Sequence, residues 1–317
     1  MAVDDARDIW PALPYADLRP TLETLQLWMQ IAGKVRLAST PWINHSWHVT
    51  FYVSASGLAT PLIPHGNLSF ELAFEFVRDA LVIRVSDGAR AHVPLAPKSV
   101  ATFYSEFCSA LKHLGLRIEI DRMPNELPNP KLFHEDVAMR DYEPEAARRF
   151  WRALVQADRV LQRFRTRFIG KCSPVHFFWG SFDLAVTRFS GRPAPLHPGG
   201  VPHLSDRVTR EAYSHEVSSA GFWPGSPGSE EAAFYSYAYP TPPGFAQAHV
   251  TPTGARFDET LGEFVLPYEA LRHAEDPDET LLSFLQSTYS AAADLGRWDR
   301  AALDCEEGAL GRPRRLD

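Results

Sequence analysis

CSPVHFFWGSFDLAVTRFSGR, residues 172–192, is an apolar, strand-like run of Val, Phe, Trp, Leu and Ala that carries His176, Asp183 and Arg188. A buried strand holds ionisable groups only when they are paired or used, so this stretch sets both the fold and the search for a site. Read as one continuous strand, it alternates. His176, Phe178, Gly180, Phe182, Leu184, Val186 and Arg188 fall on one face, and Phe177, Trp179, Ser181, Asp183, Ala185 and Thr187 on the other. Both faces are mainly apolar, which places the strand centrally in a sheet, and Gly180 marks a point of close approach.

Around this strand the chain shows two similar arrangements. In the first, TLETLQLWMQIAGKVRLA (21–38) has helical spacing, and WHVTFYVSASG (47–57) and LSFELAFEFV (68–77) alternate as strands. LVIRVSDGARAHVPL (81–95) reads as a hairpin turning at Asp87-Gly88, and SVATFYSEFCSALKHLG (99–115) as a helix closed by Gly115. A Pro-rich connection covers 124–144. In the second arrangement, MRDYEPEAARRF leads into a long helix reaching about Ile169, followed by the 172–192 strand. REAYSHEVSSAGF, EAAFYSYAYP and GEFVLPYEAL supply further strands, and DETLLSFLQSTYSAAADLG is a helix ending at Gly296. The fold class is α+β, antiparallel sheets with packed helices, in two helix-strands-helix halves at 1–123 and 145–303 and a tail at 304–317. Residue identity between the halves is slight, so duplication stays an open alternative.

Composition narrows the function. The 317 residues are 45% hydrophobic and 22% charged, enough for a large core, and the net charge of −7 is spread along the chain. That disfavours nucleic acid and anionic membrane as partners. No apolar run approaches the roughly 18–20 residues that span a bilayer, and the start MAVDDARDIW is acidic and lacks a leader's apolar core. A cytoplasmic location is expected, with Cys108, Cys172 and Cys305 as reduced structural thiols.

The candidate chemistry rests on scattered groups. His176 is the foremost acid/base candidate because a neutral imidazole can donate, accept or ligate; the competing reading is a structural polar network around Asp183. His215 in YSHEV is a second catalytic candidate, with Asp183 as the group that orients a histidine or an arginine. Arg188 is expected to pair an anionic group, and Trp179, Tyr235 and Tyr237 to line a ligand cavity, although a tyrosine packing ladder explains AFYSYAYP equally well. His48, His176 and His215 all adjoin apolar strands and form a candidate divalent-metal set if the sheets converge. Glu71 and Glu75 read as a salt-bridged face with Arg84, and the arginines at 148–167 as partners for nearby acids. No phosphate-loop, nucleophile-elbow or paired Cys/His metal motif occurs.

The blocks IWPALPYADLRPTLETLQLWMQIAGKVRLA, NHSWHVTFYVSASGL, RFIGKCSPVHFFWGSFDLAVTRFSGR, REAYSHEVSSAGFWPG and LLSFLQSTYSAAADLG resemble, in order, those of a family of bacterial proteins of about this length known as a domain of unknown function. The resemblance spans nearly the whole chain and implies one evolutionary unit. It brings no reaction, cofactor or catalytic residue. The expected function is therefore a small-molecule pocket lined by aromatic and histidine side chains, serving either an enzyme with His-based acid/base or metal chemistry or a noncatalytic binding or interaction protein.

Overall fold

The computed structural model describes residues 9–201 and 203–314; the acidic residues 1–8, read above for want of a leader, lie outside them. Helix α1 (Tyr15–Ser39) starts before residue 21 because buried Tyr15 and Leu18 continue its apolar stripe upstream of Pro20. WHVTFYVSASG does not form one strand. Residues 44–46 make a tight turn with His45 at φ 61, and only β1 (Tyr52–Ser54) is extended before the chain reverses into β2 (Gly57–Ala59).

Strands β3 (Ile63–His65), β4 (Leu68–Glu75), β5 (Ala80–Val85) and β6 (Arg90–Pro94) complete an antiparallel sheet ordered β1-β2-β4-β5-β6, with β3 also pairing β4. The Asp87-Gly88 turn is present, with Gly88 at φ 93. On this sheet Arg84 reaches both Glu71 and Glu75. Helix α2 (Val100–His113) begins where the Ser99 hydroxyl accepts the Thr102 N–H at 3.0 Å, a cap that satisfies a free first-turn donor. Trp28 of α1 stacks on Phe103 of α2 at 4.7 Å.

Helix α3 (Pro144–Thr166) opens on a proline in its first turn, where no intrahelical donor is lost. Its arginines serve acids. Arg148 binds Asp79, Arg159 binds Asp278, and Arg163 and Arg167 bind Glu307. The same helix end receives the chain's last stretch, since Asp304 bridges to Phe168 and the Cys305 N–H donates to the Arg167 carbonyl.

The 172–192 stretch then departs from the single strand expected. It is a hairpin of β7 (His176–Phe178) and β8 (Asp183–Pro193), with Trp179, Gly180, Ser181 and Phe182 in the turn and Phe182 at φ 62. The turn reverses parity. His176 pairs with Ala185, Phe177 with Leu184 and Phe178 with Asp183, and directly paired residues of an antiparallel ladder point to the same side. His176 therefore shares a face with Asp183, Ala185 and Thr187, not with Arg188. A turn of this length was hidden because its residues are as apolar as the strands they join; Phe182 packs on Phe150 and Phe177 while turning.

The second sheet follows from this hairpin. After α4 (Asp206–Ala212) come β9 (His215–Trp223), β10 (Ala233–Tyr239), β11 (Arg256–Asp258) and β12 (Glu263–Pro267), ordered β11-β12-β10-β9-β8-β7. Residues 210–212, expected at the head of a strand, close α4 instead. Helices α5 (Tyr268–Arg272), α6 (Pro277–Leu295) and α7 (Arg300–Leu303) end the fold. The two sheets meet where Phe51 and Phe177 exchange backbone hydrogen bonds of 2.9 and 2.7 Å. Among the described residues, no helix is long and apolar enough to cross a membrane.

The second sheet has two unlike faces. Leu184, Val186, Phe222 and Phe234 are wholly buried in the core with α3 and α6, and each such side chain contributes about 1.5–3 kcal/mol of burial. The opposite face carries Asp183, Ala185, Thr187, Ser219, Tyr235 and Tyr237, and a cavity lies over it.

Candidate functional site

This cavity has a volume of about 570 Å³, within the ordinary range for small-molecule sites. Its floor is the β7–β10 face. The 42–49 segment, residues 125–126, Val201 and the 204–213 segment containing α4 form the walls, with Trp42, Trp47, Trp179 and Trp223 among the aromatic surfaces.

At the floor's centre the Tyr235 hydroxyl donates to one Asp183 oxygen, and the Ser181 hydroxyl to the other at 2.5 Å. Tyr235 reaches across because the strand between them carries glycine. Gly221 pairs with Ala185 on one side and Tyr235 on the other, and a Cβ there would stand 2.6 Å from the Tyr235 hydroxyl and collide with the Leu184 carbonyl. Burial pushes the Asp183 carboxyl above its usual range, against the pull of the Ser181 and Tyr235 hydroxyls and its own backbone N–H. Burial, then the Asp183 charge, push the Tyr235 phenol well up.

Two further carboxyls join this centre. Glu126 lies over Gly180, where any side chain would strike it. Glu263 stands beside Tyr237, one register step beyond the Ser236–Phe264 pair. Burial, reinforced by Asp183, raises both to about 7. Neither gains a hydrogen-bond donor or a cation among the described residues. Tyr237 contacts the Tyr213 hydroxyl at 2.9 Å, and Thr187 contacts Ser219 at 2.8 Å, so the remaining floor hydroxyls are paired.

The histidines divide. His176 is fully buried and lines the cavity, its Nδ1 3.2 Å from the Thr50 hydroxyl and its Nε2 without a partner. Burial, with Arg36 and Arg165 adding to it, lowers its pKa to about 3, which makes it a neutral donor or acceptor at ordinary pH rather than a charge-switching group. His215 is not in the cavity wall. It contacts Ser214 at 3.0 Å and faces His45 edge-on at 5.9 Å, six residues along β9 from the Gly221 position opposite Ala185. The expected His176–His215 pair is therefore not assembled.

His48 lies elsewhere again, its Nδ1 accepting the Ile43 N–H at 3.3 Å and its ring against Trp42. Among the described residues, no group of three or more His, Cys, Asp or Glu side chains is arranged to hold a metal ion. The His48, His176 and His215 set does not converge because each ring is anchored to its own segment.

Arg188 also leaves the site. On the core face it donates to the Phe164 carbonyl at the end of α3 and stacks over Phe164 at 3.5 Å and Tyr289 at 4.2 Å. A cation at a helix C-terminus is a structural arrangement, and the anionic partner expected for Arg188 is replaced by carbonyl and aromatic faces. Trp179 does line the cavity, its N–H donated to the Val49 carbonyl at 2.9 Å.

Sequence reasoning missed Glu126, Glu263, Tyr213, Thr209 and Ser46. Glu126 sits at φ 59 inside the Pro-rich connection, which spacing alone reads as a linker. The one available signal was the acidic residue flanked by Asn and Leu in MPNELPNP. Thr209 and Ser46 are buried in the cavity wall with hydroxyls lacking partners.

No curated protein and no solved structure matches the chain. A family model described as a family of unknown function, DUF5996, covers residues 10–305, in agreement with the whole-chain resemblance read from the sequence blocks. The chain belongs to that family.

Proposed function

We propose that the cavity over the β7–β10 face is a small-molecule binding site with a carboxyl-tyrosine centre, and that recognition and any proton transfer run through Asp183, Glu126 and Glu263 rather than through a histidine pair. The observation that carries this reading is a set of buried polar atoms lacking protein partners in the lining of one cavity: His176 Nε2, Thr209 Oγ1 and Ser46 Oγ. A buried donor or acceptor without a partner costs about 1–3 kcal/mol. Several around one cavity are accounted for when a ligand supplies the missing bonds.

A second reading, an enzyme using carboxyl acid/base chemistry, is favoured by one further observation. Glu126 and Glu263 are held at about 7, where a carboxyl both gives and takes a proton at neutral pH. A purely binding role uses the same cavity without turnover.

A fragment screen by ligand-observed NMR tests the reading. Fragments are expected to bind the native protein and to be displaced in Ala185→Phe, which fills the floor. Absence of hits, or hits indifferent to Ala185→Phe in a folded variant, contradicts it.

A further inference from the structure

We infer that the ligand of this cavity is an organic cation, an ammonium group on a flat apolar body, with the ammonium seated between Glu126, Asp183 and Glu263. This inference rests on the proposed small-molecule site and specifies its chemistry. Glu126, Asp183 and Glu263 all line this cavity, Glu126 over Gly180 and Glu263 beside Tyr237, and among the described residues no Lys, Arg or His forms an ion pair with any of them. Asp183 has its two hydroxyl donors, whereas Glu126 and Glu263 have none. Like charges gathered in a partly desolvated space repel one another, and a cation in their midst relieves both the repulsion and the unmet hydrogen-bonding capacity.

A metal ion is the other candidate cation. The absence of any metal-holding group of carboxylates and histidines among the described residues argues for an ammonium, which needs directional acceptors rather than a closed coordination shell. The rest of the cavity fits the remainder of such a molecule. Trp179, Trp223, Phe178 and Phe189 offer flat apolar surface, and aromatic faces attract cations as well as planar groups. Elsewhere in the lining, His176 Nε2 on the floor and Thr209 and Ser46 in the walls give neutral polar contacts for a second substituent. Being neutral, His176 adds no repulsive charge to a cationic guest.

Titration calorimetry at pH 7.5 with tryptamine, tryptophol and indole-3-propionate tests the charge while holding the indole body nearly constant. Tryptamine is expected to bind at least about tenfold more tightly than tryptophol, the worth of roughly one charge-assisted contact, with indole-3-propionate weakest. Glu126→Gln combined with Glu263→Gln is expected to remove most of the tryptamine advantage and leave tryptophol within about threefold. These isosteric changes sit at the cavity surface, and circular dichroism verifies folding. Equal affinity for tryptamine and tryptophol, or a tryptamine advantage unaffected by the double substitution, overturns the cation assignment while leaving the cavity as a binding site. Preference for indole-3-propionate overturns it as well. No binding by any of the three overturns both the inference and the site reading beneath it.

Discussion

The Tyr235 hydroxyl donates to the Asp183 carboxylate across the bare backbone of Gly221. Two strands that are not neighbours are thereby tied by side chains over a third, and the tie forms the floor of the cavity. Gly221→Ala puts a methyl 2.6 Å from the phenol oxygen and into the Leu184 carbonyl. Overpacking of this kind costs about 1–3 kcal/mol. Tyr235→Phe leaves Ser181 as the one hydroxyl donor to Asp183 and costs about 1–3 kcal/mol by removing one partner of a buried pair. Urea denaturation checks both, and a loss under about 0.5 kcal/mol in each variant contradicts the tie.

His176 is expected to stay neutral from pH 5 to 8, because its buried ring is lowered to about 3. Two-dimensional 1H-15N spectra of the imidazoles follow this directly. A His176 titration midpoint near 6.5 excludes the buried, neutral ring.

Stability carries opposing proton linkages. Glu126 and Glu263, raised from 4.5 to about 7, bind more protons in the folded chain, so their contribution is lost as pH rises from about 4.5 through 7. His176, lowered from 6.5 to about 3, acts oppositely, with stability gained as pH rises through that interval. Comparison of native protein with the Glu126→Gln, Glu263→Gln double variant isolates the carboxyl part. Relative to native, the variant is expected to gain about 2–4 kcal/mol between pH 5 and pH 8, allowing for solvent screening. A native-variant difference that does not change with pH refutes the assignment.

Arg188 is structural in this arrangement. Arg188→Met is expected to destabilise the chain by about 1–3 kcal/mol through loss of the Phe164 carbonyl bond and its stacking on Phe164 and Tyr289. Affinity for a cavity ligand should remain within about twofold. A tenfold affinity loss without destabilisation would restore Arg188 to the site.

Much of the fold was legible because its periodicities are local. The 99–115 helix closed by Gly115, the Asp87-Gly88 hairpin and the alternating β4 each satisfy a rule spanning a few residues. Tyr235, Tyr237, Trp179, His176 and Asp183 stand out in the sequence, and all five line the cavity. What escaped was parity. A turn made of Trp179, Gly180, Ser181 and Phe182 keeps the apolar character of its strands, and one hidden reversal parts His176 from Arg188 and sets it beside Asp183. Glu126 and Glu263 escaped for another reason: their importance arises from Asp183, distant in sequence, and no local pattern encodes that proximity.

The most direct test of the central claim is a methyl-resolved NMR titration with tryptamine. Shifts are expected at Ala185, Thr187, Val208 and Val217, whose side chains line the cavity, while Leu184 and Val186 on the buried core face stay unmoved. Shifts centred on the core face or on the other sheet, or none at millimolar tryptamine, would contradict the account.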